Sequence, residues 1–272
     1  GAVWCQEARK ILDAADSILL EQGRGLAFLD LTGALCATSG MTSEAQAIFE
    51  RTVAIRETIG DPVGIGRSNG NLGIFLCDNG NPWAAVKHFE RARAVSADLP
   101  PNIDRLVRLN YAACLAALKR ISEALEMNRV LEKEFEEVGN WRNLALVRCN
   151  IADCLSKIGE YEAARTVLES PFAYTLETGE WSHLSVILDT LTTVFARQKP
   201  ERAWQAHSLA NRVNAGLRRQ RKPVVTNELE TDLELIRASL SRSEREAIEL
   251  AIGAGETTDR VTELFRTLYP SA

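Results

Sequence analysis

Small and apolar positions recur along this chain with a nearly fixed step. Gly33, Gly73, Ala112, Ala152 and Leu191 are separated by 40, 39, 40 and 39 residues. An alanine follows each by 12 residues, at Ala45, Ala85, Ala124, Ala164 and Ala203. The stretch from Asn71 to Ala92 shows the grammar. A first helix runs through Gly73 and stops at Gly80. Asn81 can cap a second helix, and Pro82 suits its first turn, where an N–H would be unsatisfied anyway. Ala85, Phe89 and Ala92 then fall at i, i+4 and i+7, one face of that helix. Gly73 and Ala85 are small where two antiparallel helices must cross closely, and Phe89 fills the space beside them. The same grammar gives Gly33, a turn at Gly40, then Ala45 and Phe49. It gives Ala112, a turn near Arg120, then Ala124, and also Ala152, a turn at Gly159, then Ala164 and Leu168. The fifth unit turns near Lys199-Pro200 before Ala203. A second family of breaks separates the units at Gly60-Asp61, Pro100-Pro101, Gly139-Asn140 and Gly179-Glu180. No stretch alternates as a strand does, so the pattern predicts an all-α chain of helix pairs. A period of this length marks a solenoid, whose usual work is to offer a long binding surface rather than chemistry.

The ends depart from the repeat. Residues 1–24 read as a leading half-repeat helix, with Ala8, Leu12 and Ala15 in the Ala, Phe and Ala places. Residues 25–222 hold about five units. In residues 223–272 the pattern changes to a helical capping segment: a helix from Thr226 to about Leu240, another after Leu240-Ser241, a break at Gly253-Ala254-Gly255, and a last helix near Thr258–Leu268. Ser243 and Glu246 are spaced as a capping box. The basic run from Arg218 to Lys222 complements the negative end of a helix that Pro223 prevents from continuing. The tail also resembles the opening of a bacterial regulator's helix-turn-helix, but it ends where a DNA-reading helix would begin and carries Glu244, Glu246 and Glu249.

Composition narrows the function. A net charge of −5 and a pI near 5.5 argue against nucleic acid. No apolar run approaches a membrane span, and the first residues do not read as a signal peptide. The absence of an initiating Met suggests a piece of a longer protein, with upstream regulatory domains as natural partners. Six cysteines without a CxxC read as small buried apolar side chains, which suits a reducing, cytoplasmic setting. No catalytic signature stands out: there is no GxxxxGK[ST], HExxH or GxSxG, and His88, His183 and His207 lie in different units. The run Gly64-Ile65-Gly66-Arg67-Ser68-Asn69-Gly70 looks like a phosphate loop, but no strand precedes it, and it reads as an inter-unit turn. The chain is therefore expected not to be an enzyme and to need no cofactor and no metal.

Leu72, Gly73, Ala85, Phe89 and Ala92 resemble the tetratricopeptide (TPR) repeat, and Gly33, Ala45 and Phe49 match it well. Asn128 and His207 stand where the aromatic belongs in the third and fifth units. The period near 40 is similar to the long-helix variety found in peptide-binding adaptors and in the sensor regions of bacterial signal-transduction ATPases, including the maltose-regulator type. Gly60-Asp61-Pro62-Val63-Gly64-Ile65-Gly66-Arg67 resembles the inter-repeat signature of that variety. The resemblance implies a right-handed superhelical solenoid of antiparallel helix pairs.

Two residues before each small position the chain reads Asn71, Asn110, Asn150 and Asp189, with Leu31 in the first unit. In the resembling families this face lines a concave groove, where an asparagine can both donate to and accept from a peptide backbone. Arg67, one turn earlier than Asn71, can meet a carboxylate, and Asp153 is a polar neighbour of Asn150. The same asparagines could instead bond the adjoining repeat and fix register. Trp141 and Trp181, also 40 apart, read as packing against the preceding unit, or else as a ligand-facing aromatic pair. The expected function is a non-catalytic sensor or scaffold of a bacterial regulator that binds a protein, a peptide or a small effector. The alternative is an assembly module with no ligand of its own.

Overall fold

The computed structural model describes residues 24–217, 221 and 223–270. The predicted leading helix, Cys5 and most of the basic run before Pro223 lie outside the described residues. Among the described residues the chain is all α, with one 3-10 turn at Ser96–Asp98 and no strand. It divides into two compact units, one ending at Leu118 and one beginning at Lys119.

The first unit contains α1 (Arg24–Thr38), α2 (Thr42–Ile59), α3 (Pro62–Asp78), α4 (Pro82–Arg93) and α5 (Pro101–Ala117). α1 pairs with α2 and α3 with α4, and each crossing is as close as the sequence requires. A Cβ at Gly33 would lie 2.8 Å from the Phe49 ring, and one at Gly73 would lie 3.0 Å from the Phe89 ring. Each of these phenylalanines also meets an aromatic on the following helix. Phe49 lies 5.3 Å from Phe75, and Phe89 lies 5.4 Å from Tyr111, centroid to centroid. Phe89 and Ala85 are fully buried.

Local chemistry sets the helix starts. Asp61 accepts from the backbone N–H groups of Val63 and Gly64 at 3.2 and 2.9 Å, with Pro62 in the first turn of α3. Asn81 does the same for α4 through the N–H of Ala84 at 3.3 Å. The glycine-rich run is not a turn: Gly64 to Gly70 lies inside α3, and the turn is confined to Gly60-Asp61. These glycines serve packing instead, since a Cβ at Gly66 would lie 2.5 Å from Leu99 and one at Gly70 would lie 3.0 Å from Val107.

The second unit contains α6 (Ile121–Glu137), α7 (Trp141–Lys157), α8 (Tyr161–Val167), α9 (Glu169–Thr178), α10 (Trp181–Phe195), α11 (Pro200–Gly216), α12 (Pro223–Ser239), α13 (Arg242–Gly253) and α14 (Thr257–Leu268). The second helix of the fourth repeat is broken in two. Pro171 has no N–H to give the carbonyl of Val167, and its ring crowds that carbonyl, so α8 stops there and α9 starts afresh. Asn128 keeps the repeat's phase in α6: it is fully buried beside Ala124, Leu131 and Phe135, and its Nδ2 donates back to the Ala124 carbonyl at 2.8 Å.

The closing helices pack on the repeats of this unit. Phe265 and Tyr269 meet Phe172 edge-on at 5.2 and 6.5 Å. The Tyr269 hydroxyl donates to the Arg165 carbonyl at 2.8 Å, and Arg165 returns a bond to the Leu268 carbonyl at 2.8 Å. Arg212 donates to the carbonyls of Ile252 and Gly255. The capping box lies two residues earlier than the spacing suggests. α13 begins at Arg242, so Ser241 is the capping residue: the Glu244 N–H donates to its hydroxyl, and the Glu244 carboxylate accepts from its N–H at 2.7 Å. Trp141 also differs from expectation. As the first residue of α7 it lies beyond the covered face and is 53% exposed.

The turn inside each of the first four repeats places one residue in the left-handed backbone region. Gly40, Gly80 and Gly159 supply it, at φ of 77°, 82° and 88°; in the third repeat Lys119 takes the place at φ 63°. A Cβ in that region costs about 1 kcal/mol, and the Lys119 side chain is exposed, so it has no packing to lose. Lys119→Gly is therefore expected to raise the unfolding free energy by about 1 kcal/mol. A urea midpoint that stays put or falls would show that the turn carries no such strain.

Candidate ligand-binding face

The polar ladder divides between the two compact units: Arg67, Asn71 and Asn110 in the first, and Asn150, Asp153 and Asp189 in the second. Both sets lie on the first helices of their repeats, and five of the six residues are half-buried, Arg67 being exposed.

In the first unit Asn71 is committed to its own fold. Its Nδ2 donates to Asp30 Oδ1 at 3.2 Å, linking α3 to α1. Asp30 Oδ2 also accepts from Arg56 Nη2 at 2.7 Å, and Arg56 Nη1 donates to the Gly64 carbonyl at 3.1 Å. Asp30 and Arg56 therefore form a buried ion pair, with Asn71 as its third member. Burial pushes the Asp30 carboxyl above its ordinary value, opposed by the charge of Arg56, the Asn71 hydrogen bond and the charge of Arg67. Desolvation outweighs the pair's attraction, as it often does for buried ions.

Two residues earlier on α3, Asn69 makes a second seam. Its Nδ2 donates to Glu57 at 3.3 Å and to the Ile65 carbonyl at 3.1 Å, while its Oδ1 faces His88 Nδ1 at 2.9 Å. Arg91 grips Glu57 from α4 and holds its carboxyl below the usual carboxylate range. The sequence singled out neither Asp30, Arg56 nor Asn69. The only signal for them was a charge or an amide on an otherwise apolar helix face.

Asn110 and Asn150 behave differently from Asn71. Each is half-buried, and neither side chain makes a hydrogen bond among the described residues. Their amides keep a donor and an acceptor for a partner. Arg67 makes no ion pair among the described residues, so its guanidinium reaches solvent close enough to Asp30 to favour its ionised form.

Asp153 is held by Lys157 at 2.7 Å one turn on, and its charge, after burial, helps to raise the carboxyl of Asp232 on α12. With burial as the larger cause, Asp153 also helps push the Cys149 thiol up to about 12, which keeps it protonated and unreactive. Asp189 is closed off: Arg221 Nη2 and Nε lie 2.6 and 2.9 Å from its carboxylate. Arg221 thus ties the chain after α11 back to α10 rather than acting at a helix end.

The five described cysteines are all buried. No group of His, Cys, Asp and Glu among the described residues has the arrangement of a metal site, and no described helix is long and apolar enough to cross a membrane.

No protein-family model matches the chain, and no curated protein sequence matches it significantly. Solved structures do. A Podosopora anserina chain assigned as a kinesin light chain, with nearly identical TPR-like repeats, superposes with a TM-score of 0.54. It is 17% identical, and the match covers 72% of this chain and 97% of that one. The chain therefore has the fold of a TPR-like helical-repeat protein, all α and of the solenoid class. The small-residue frame that carries the sequence resemblance is the frame seen in the structure.

Asp30 connects the ladder to pH. Its folded-state pKa lies above the ordinary value of 3.8, so the native state holds the proton more tightly than the unfolded chain. Its contribution to stability is full below the unfolded value and is lost as pH rises through the folded one. Arg67→Ala removes a cation that favours the ionised form and is expected to raise the Asp30 pKa further. A carbon-detected carboxyl titration reads this directly, and an unchanged midpoint would put Arg67 out of reach of Asp30.

Proposed function

We propose that the chain is a non-catalytic binding module that holds a protein or peptide segment against the first helices of its repeats, as the sensor or scaffold region of a bacterial regulator. In this reading residues 25–222 form the repeats, residues 223–272 cap them, Arg67 and Asn110 in the first unit and Asn150 in the second meet the ligand, and Asn71, Asp153 and Asp189 are held by Asp30, Lys157 and Arg221. The observation that carries it is the free amide of Asn110 in the first unit and, separately, that of Asn150 in the second. Each occupies the same repeat position, is half-buried, and leaves both ends of its amide without an internal partner. A register-fixing asparagine spends its amide inside the fold, as Asn69 and Asn71 do. An asparagine that does not is suited, within its own unit, to a peptide backbone, which offers a donor and an acceptor in turn. Arg67 adds a site for an acidic side chain or a terminal carboxylate. The TPR-like frame supports the reading, because stacked helix pairs provide a surface longer than any single domain face. The buried free cysteines suit a reducing cytoplasmic setting.

One observation favours the assembly alternative. Leu31 stands at the ladder position of the first repeat and is 58% exposed, with Phe28 and Leu35 exposed beside it at helical spacing. An apolar stripe of this kind can pair with a second copy or another chain.

A random peptide library displayed against the immobilised chain tests the proposal. Peptides are expected to be enriched, and their affinity to fall about fivefold in each of Asn110→Ala and Asn150→Ala, the equivalent of one net hydrogen bond of about 1 kcal/mol. Enriched peptides that bind both variants as tightly as the parent would overturn the assignment of the face. Failure to enrich any peptide, with an apparent molar mass by light scattering that rises with protein concentration, would favour assembly.

A further inference from the structure

The closing helices are fastened in two different ways. α13 packs on α11, and α14 on α11 and α9, all second helices of their repeats. The attachment of α14 is apolar: Val261 and Leu264 are buried, and Phe265 meets Phe172 at 5.2 Å. α12 packs on α11 and also on α10, the first helix of the fifth repeat. Leu229, Leu233 and Ile236 are buried there, while Glu230, Glu234 and Arg237 on its other side are exposed.

The polar contacts of this segment fall on the ladder face. Arg221, just before α12, places Nη2 and Nε 2.6 and 2.9 Å from the carboxylate of Asp189, the ladder residue of the fifth repeat. Its Nη1 donates to Asn211 Oδ1 on α11 at 2.6 Å. Asp232, in the middle of α12, accepts a hydrogen bond from the side chain of Thr193, one turn beyond Asp189 on α10. It also stands within electrostatic reach of Arg197 and, on α7, of Asp153 and Lys157. Residues 221–239 therefore face the polar column of two first helices.

This contact desolvates charge. Asp232 is half-buried and makes no ion pair among the described residues. Burial raises its carboxyl above the ordinary value, opposed by the Thr193 hydrogen bond and the charge of Arg197. Lifting α12 would return that carboxylate to water, which favours opening. Nor does α13 need α12 for its first turn, because the Ser241–Glu244 capping box starts it from its own residues.

We infer that residues 221–239 are a built-in competitor for the ladder face of the second unit, a strap that opens on its own and yields Asp189 to a partner segment bearing a basic side chain. The strap's own chemistry names the partner: a guanidinium set on a carboxylate, in a run that also carries Arg218, Arg219 and Lys222. The inference rests on the ladder being a binding face, but its tests involve neither Asn110 nor Asn150, so either assignment can fail without the other.

Native-state hydrogen exchange on the full chain reads the opening directly. The amides of Leu229, Leu233 and Ile236 are expected to exchange at least about a hundredfold faster than the slowest amides of α10 and α11, through an opening that leaves both helices protected. Arg221→Ala is expected to speed α12 about tenfold. Asp232→Asn, which removes the buried charge and keeps an acceptor for Thr193, is expected to slow it about threefold. A synthetic peptide of residues 218–240 is the probe for the uncovered face. Its apparent affinity scales with the open fraction, so Arg221→Ala should bind it about tenfold more tightly than the parent, and Asp232→Asn about threefold more weakly. Exchange of α12 together with α10 and α11 as one unit would overturn the inference. So would a peptide affinity that stays level across the parent and both variants.

Discussion

The structure depends on how closely two helices of a repeat can cross. Where the first helix carries glycine, the second can press a phenylalanine ring against the backbone: 2.8 Å separates the Phe49 ring from a Cβ built at Gly33, and 3.0 Å separates Phe89 from one built at Gly73. Any larger residue would drive the helices apart. Along the chain phenylalanine stands at the second position only where the first is glycine. The pairs read Gly33 and Phe49, Gly73 and Phe89, Ala112 and Asn128, Ala152 and Leu168, Leu191 and His207. In the fourth unit a methyl gained on the first helix is matched by a smaller side chain on the second, as a close-packed interior requires. The third and fifth units depart further: Ala112 with Asn128 is smaller than glycine with phenylalanine, and Leu191 with His207 is larger.

This explains what the sequence made legible. Period, helix starts and inter-unit breaks follow from local chemistry: αL residues at the turns, Asp61 and Asn81 at helix starts, prolines in first turns. Each acts within a few residues of its own position. The misread features were those that depend on which turn of a helix is first. Gly64 to Gly70 has the composition of a loop, but Asp61 and Pro62 have already begun α3. Ser243 and Glu246 have capping-box spacing, but the helix begins at Arg242, which makes Ser241 and Glu244 the functional pair. Pro171 was a visible helix breaker inside a run that the repeat required to be one helix, and the covalent constraint prevailed over the pattern.

The polar column was legible as a list but not as a set of roles. Asn71, Asn110 and Asn150 are equivalent in sequence, yet the first is spent on Asp30 while the other two have no internal partner. The difference comes from residue 30 and not from the asparagines. An aspartate on α1, drawn into a buried pair with Arg56, offers a second oxygen that Asn71 satisfies. Similarly, Asp189 fits the column by spacing, but Arg221, 32 residues away, closes it off. Such pairings depend on contacts distant in sequence, and no periodicity announces them.

The departures from the repeat also show where unmet polar groups are tolerated. A buried phenylalanine asks nothing of its surroundings but volume. Asn128 and His207, at the same place in other repeats, bring atoms that need partners, and each leaves one unmet: Oδ1 of Asn128 and Nδ1 of His207. Their settings are not equivalent. Asn128 is fully enclosed, and its Nδ2 is satisfied by the Ala124 carbonyl, so its cost is borne by the fold alone. His207 lines an open cleft between α11 and α12, yet its Nδ1 is closed off from solvent, as is Nδ2 of Asn214 seven residues on. An unmet polar atom sealed in this way is a loss of stability that apolar contacts elsewhere must offset. The positions that break the repeat in sequence are thus places where the fold carries an unmet polar atom.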